Sequence, residues 1–128
     1  MQVIKNVEGA PSPVGAYSPA VKCNRMVFCS GQIAIDPETN EFVSGGVEAQ
    51  LEQVLKNLSA VLTASDSDAS SILMTTIFLA NIEDAKSVNA RYEDFVNKDA
   101  PPARQTVAVK DLPLGALVEI SVIAKTKS

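Results

Sequence analysis

Apolar positions along the chain fall into two periods. Val47, Leu51, Val54, Leu55, Leu58, Val61 and Leu62 recur at helical spacing, with Glu48, Glu52, Gln53 and Lys56 off the stripe. This predicts an amphipathic helix over 47–64. A second helix is expected from Asp84, a capping residue type, through about Val96, with Ala85, Val88, Tyr92, Phe95 and Val96 turned inward. Elsewhere the pattern is β-like. Strands are expected in "RMVFCSGQIAI" (25–35), "ILMTTIFLA" (72–80), "RQTVAV" (104–109) and "LVEISVIAK" (117–125), and "MQVIKN" reads as a short edge strand. "GAPSPVGAYSP" (9–19) reads as an extended loop and "DPETNEF" (36–42) as a turn. "KDLPLGA" (110–116) reads as a hairpin-like connection between the last two strands.

The order β, β, α, β, α, β, β predicts an α+β fold, a two-layer sandwich with two helices on one face of a mixed sheet. Two helices cover only one face. Yet the 25–35 strand offers apolar side chains on both, Met26 and Phe28 on one side and Val27, Ile33 and Ile35 on the other. A large exposed apolar patch is avoided by monomers. A homo-oligomer that buries the open faces is therefore expected. With no linker or repeat, residues 1–128 read as a single domain.

Composition narrows the chemistry. With 11 basic and 15 acidic residues and no basic stripe, nucleic-acid binding is not expected, and 5% aromatic residues leave few stacking platforms. No apolar run reaches the ~18 residues of a membrane span, and the N-terminus lacks the pattern of a secretory signal, so a cytoplasmic protein is expected. Cys23 and Cys29 form no CxxC, and Cys29 reads as a buried structural thiol. The chain has no histidine. Ser-His-Asp and Cys-His catalysis are thus excluded, and the commonest metal ligand is missing. No P-loop, GxGxxG or metal-spaced cluster is present, so no metal site is expected.

In "LVEISVIA", Val118, Ile120, Val122 and Ala124 form one apolar face, while Glu119 points the other way among aliphatics. A carboxylate there needs a cationic or hydrogen-bonding partner. In "APPARQTV", Arg104 opens the preceding strand, across the expected hairpin. Two readings follow: a structural Arg104–Glu119 pair, or an arginine fork kept for an anionic ligand with Glu119 handling a proton or a water. Gly31 in mid-strand suits a bulge or the close approach of a ligand, and Ser30 adjoins it. Tyr17 sits in the Gly/Pro-rich loop, a packing residue or a site residue. Asn89 precedes Tyr92 and Phe95 on the second helix, where a solvated face is the plain alternative.

Six segments in order, "GAYSPA", "SGQIAIDPETNE", "QVLKNLSAVL", "TTIFLANIEDAKSVNARYEDF", "PPARQTVAV" and "LPLGALVEISVIA", resemble the reactive intermediate deaminase family, RidA or YjgF. The resemblance implies a chorismate-mutase-like fold and a homotrimer whose sheets line a central barrel, with clefts between subunits. It implies cofactor-independent hydrolysis of enamines and imines such as 2-aminoacrylate and 2-iminobutanoate to 2-oxo acids and ammonia. By matching position, Arg104 would bind the substrate carboxylate and Glu119 would hold or activate water. Tyr17 and Ser30 would line the cleft, Gly31 and Thr106 would offer main-chain groups, and Asn89 matches a further family position. Gln105 replaces a commonly small residue and is expected to face away from Arg104. The alternatives are an endoribonuclease or translation inhibitor, and a non-catalytic module that senses small carboxylates.

Overall fold

The helical stripe becomes α1, Val47–Ala64, with Leu51, Val54, Leu55, Leu58, Val61 and Leu62 all buried. The second helix, α2, runs Ala85–Phe95 and buries Val88 and Tyr92. Asp84 occupies its N-cap position without making a side-chain cap bond, because a 3-10 turn over Ile82–Asp84 leads into the helix. The computed structural model describes residues 1–127; Ser128, the end of the expected domain, lies outside the described residues.

Six strands form one sheet: β1 (Gln2–Ile4), β2 (Ala20–Cys23), β3 (Met26–Gln32), β4 (Ile72–Leu79), β5 (Ala103–Ala108) and β6 (Val118–Lys125). Their order across the sheet is β1-β2-β3-β6-β4-β5. Only β4 and β5 run parallel, joined by α2 as a crossover, and the other pairs are antiparallel. Both helices pack on one face, α1 over β3 and β6 with α2 beside it. Among the described residues no helix is long and apolar enough to cross a membrane.

Three expectations change. Strand β2 lies in a stretch with no strand pattern of its own. It is four residues long and exists because it pairs on both sides, reached through a tight turn at Asn24 and Arg25, both at positive φ. Strand β3 therefore starts at Met26 and stops at Gln32 rather than running 25–35. A bulge between Cys29 and Gln32 breaks its alternation, so Ile33 and Ile35 fall in the segment beyond the strand.

The third change concerns the last two strands, which are not a hairpin. β6 lies between β3 and β4, and β5 is one edge of the sheet. The side chains explain this. The alternate residues Val118, Ile120, Val122 and Ala124 need a covered position, whereas β5 is exposed along most of its length. Arg104 therefore registers with Thr75, and Thr75 with Val122.

Two buried amides on α1 hold the segments just after β3 and just before β6. Asn57, fully buried, donates from Nδ2 to the carbonyls of Ile33 (3.2 Å) and Ile35 (3.0 Å), and Gln50 Oε1 accepts the Leu117 N–H at 2.8 Å. Asn57→Ala is expected to strip the Ile35 carbonyl of its side-chain donor, to leave the Ile33 carbonyl with the Ile35 N–H alone, and to cost about 2 kcal/mol, as read by denaturant unfolding.

The face away from the helices carries Phe28 and Val107, 43% and 44% exposed, with Met26, Met74, Phe78 and Ile123 half-buried around them. Among the described residues of one chain, no helix lies over this sheet face.

Candidate active site in two halves

Two clusters gather most of the residues singled out from the sequence, and they lie on opposite faces of the sheet. The first surrounds Glu119. This residue pairs across to Phe78, so its side chain belongs to the open face. The bulge places Gly31 directly beneath it. A Cβ on Gly31 would lie 2.8 Å from Glu119 Oε2 and 2.9 Å from Cδ, so the missing side chain is what lets the carboxylate lie there. Burial alone pushes the Glu119 carboxyl above the ordinary carboxylate range.

A cavity of about 570 Å³ opens beside it, lined by Tyr17, Gly31, Ile33, Ile35, Leu114 and Glu119 among others. Tyr17 is half-exposed on the 11–19 loop. Ser30 does not line this cavity. Its hydroxyl donates to the Ser18 carbonyl at 2.6 Å and its N–H to Pro19 at 2.9 Å, which fixes the loop against β3. Ser30 thus holds the backbone just after Tyr17 rather than facing the cavity.

Gly31→Ala follows as a sensitive probe. The backbone at Gly31 is not in the left-handed region, and the clash falls on the end of a flexible side chain. Little stability should be lost. Glu119 must move, and if a reaction runs through its carboxylate, kcat/KM should fall by about tenfold or more, since small misplacements of a reacting group are costly.

The second cluster surrounds Arg104, whose register with Thr75 puts it on the helix face. Its guanidinium donates through Nη1 to Asn89 Oδ1 and lies over the Tyr92 ring, 5.4 Å from the centroid. Asn89 also donates to Glu93 at 3.3 Å. Tyr92 is held in turn by donating its hydroxyl to Thr75 Oγ1 at 2.9 Å. Burial raises the Tyr92 pKa, partly offset by Thr75 and Arg104, so the ring stays neutral under the cation. Thr106 and Asn89 join Arg104 around a cavity of about 270 Å³.

Lys86 lines that same cavity. It was not anticipated, although its place one turn before Asn89 puts both on one helix face. The cluster thus offers two cations, an amide and a hydroxyl to an anion.

The structural Arg104–Glu119 pair is not formed. The ion pairs among the described residues are Arg91–Glu52, Lys98–Asp94 and Lys127–Asp68. The expected hairpin, which would have set the two residues side by side, is absent. Within one chain they stand two strand spacings apart, roughly 10 Å, and roughly 10 Å further along the strand, on opposite faces. Gln105 registers with Thr76 and faces away from Arg104, as strand alternation expects. Cys29 is buried and its thiol is pushed up to about 12, which suits a structural thiol.

Comparison with known proteins agrees with this architecture. The family model described as Endoribonuclease L-PSP matches residues 7–126. The chain is 47% identical over 121 residues to Reactive Intermediate Deaminase A, chloroplastic, of Arabidopsis thaliana, covering 94% of this chain and 64% of that relative's length. Among solved structures, the Rid-family protein YyfA of Yersinia pestis superposes with a TM-score of 0.93 at 45% identity over 98% of both chains. TdcF of E. coli, solved with bound serine, superposes with a TM-score of 0.89 at 31% identity, covering 98% of this chain and all of that one. The chain belongs to the RidA/YjgF family.

Proposed function

We propose that the protein hydrolyses reactive 2-imino acids and their enamine tautomers, such as 2-aminoacrylate, to 2-oxo acids and ammonia. One observation carries this reading: Arg104 is oriented by an amide and a ring but is paired with no carboxylate among the described residues, beside a cavity. A guanidinium so held is ready for a carboxylate from outside, through two parallel charge-assisted bonds. The name of the Arabidopsis relative and the serine bound by TdcF support a small substrate with a carboxylate next to nitrogen.

Glu119 supplies the other half of the reaction. In its ionised form it takes a proton from water as the water oxygen bonds to the imine carbon. The C=N bond becomes a single bond. The proton then passes to nitrogen, and the carbinolamine collapses to C=O with loss of ammonia. Hydrolysis needs orientation and proton transfers and no redox step.

Arg104 and Glu119 of one chain point to opposite faces, so the reading requires two copies. The β5–α2 edge of one chain would close over the Glu119 cavity of the next, and the open sheet faces would bury one another. We infer a homotrimer with three such clefts. Its test is native mass together with ammonia release from a dehydratase-generated imine. A trimer that speeds release is expected. A stable monomer with full activity would overturn the reading. Carboxylate binding with no turnover on any imine would favour a sensing module instead.

A further inference from the structure

Among the described residues, the Arg104 guanidinium bonds to Asn89 and lies over Tyr92, and both belong to α2. The direction of the arginine fork is therefore set by where α2 sits. That helix has 11 residues, buries only Val88 and Tyr92, and gets no side-chain cap from Asp84. A helix so short is marginal by itself, so its placement comes from what it touches. Tyr92 ties it to Thr75 on the sheet below. This leaves its roll about its own axis to be fixed from the side.

Two rungs on that side join α2 to α1. Ser87 and Arg91, one turn apart on α2, meet Glu48 and Glu52, one turn apart on α1. Ser87 Oγ donates to Glu48 Oε1 at 2.9 Å. Arg91 donates through Nε to Glu52 Oε2 at 2.5 Å and through Nη2 to Glu52 Oε1 at 3.1 Å. The helix that holds the other end is firmly seated, since α1 is 18 residues long and buries a full apolar stripe. A half-exposed ion pair adds little to stability. A fork bound to both oxygens of a carboxylate instead fixes a direction. Asn89 lies between Ser87 and Arg91 in sequence, so a roll of α2 that opens the rungs carries Asn89 and Tyr92 away from their present places around Arg104. None of the four rung residues lines the Glu119 cavity or the Arg104 cavity.

We propose that Glu48, Glu52, Ser87 and Arg91 are positioning residues, which lock the roll of α2 and so aim the Arg104 fork at the substrate carboxylate. The inference rests on the reading of Arg104 as the carboxylate's partner. It goes beyond that reading by giving the outer helix layer a part in substrate binding.

The test removes both rungs with Glu52→Ala and Ser87→Ala in one chain, leaving every site residue in place. KM for a dehydratase-generated imine should rise about fivefold or more while kcat stays within about twofold, because carboxylate binding is what weakens. Arg91→Lys keeps the charge but loses the fork, and its KM should fall between the two. Thermal unfolding should shift by only a few degrees, roughly as for other surface pairs. A wild-type KM in the double variant would overturn the proposal. So would a loss of activity that follows unfolding alone.

Two readouts need no turnover: pyruvate binding by calorimetry, and the NMR signal of the Arg104 Nε–H, which the Tyr92 ring shifts. In the double variant pyruvate should bind about fivefold more weakly or worse, and the Arg104 signal should move toward that of an exposed arginine. If wild type neither hydrolyses the imine nor binds pyruvate, the reading of Arg104 fails, and the NMR signal decides the rungs separately. A moved signal supports them as the device that sets Arg104, and an unchanged one overturns them.

Discussion

Arg104→Ala is expected to lower kcat/KM for imine hydrolysis by about 10²–10³-fold while the fold is kept. The magnitude follows from losing two charge-assisted bonds to a carboxylate, about 3–4 kcal/mol together. The fold is spared because Arg104 is exposed on an edge strand and shares no ion pair with another described residue. Arg104→Lys keeps the charge but loses the fork, and should recover only part of the activity. Steady-state kinetics beside thermal unfolding separates the two effects. An unfolded variant would show a structural arginine, and a fully active one would remove Arg104 from the site.

Glu119→Gln should be as damaging to turnover, by about 10²–10⁴-fold, because an amide cannot accept the proton from water. Its effect on stability should have the opposite sign. The carboxyl is raised by burial, so the folded chain holds this proton more tightly than the unfolded chain does. Glu119's contribution to stability is fully present below the unfolded pKa and is lost as pH rises through the folded one. The glutamine variant never undergoes that loss. It should therefore unfold at a higher temperature than wild type at neutral pH, and the difference should close in acid. Wild-type activity should fall as pH drops through the raised pKa, since the proposed base is the ionised form. A variant less stable than wild type at neutral pH would show that Glu119 is held by interactions rather than merely tolerated.

Much of the fold was legible because its strongest elements carry their own periodicity. The stripe from Val47 to Leu62 gave α1 its full extent, and the alternation of Val118, Ile120, Val122 and Ala124 gave β6. What was missed depends on pairing between distant segments. The Ala20–Cys23 strand is too short for a pattern and is defined by its neighbours on both sides. The placement of β6 between β3 and β4 is likewise a long-range choice. Local proximity of β5 and β6 in the chain suggested a hairpin. The polar, exposed character of Arg104–Thr106 is the signal that marked β5 as an edge.

The site divided along the same line. Glu119 stood out as a carboxylate within an apolar strand, and Gly31 as a glycine where a strand should have a side chain. The structure joins them through the bulge. Asn89 resembled any solvated helix residue until α2 packed against β4 and set it on Arg104. Asn57 and Gln50 looked like ordinary helix polar residues. Their roles in holding Ile33, Ile35 and Leu117 appear only once the segments are in place.

Arg104 of one copy and Glu119 of another are proposed to act on one substrate. Mixing tests this most directly: the inactive variants Arg104→Ala and Glu119→Gln are co-refolded in equal amounts, and ammonia release is measured against each alone. Random assortment gives about a quarter of the clefts an intact arginine from one chain and an intact glutamate from its neighbour, so about a quarter of wild-type activity should return. A mixed oligomer, proven by native mass, that stays as inactive as its parents would contradict the account.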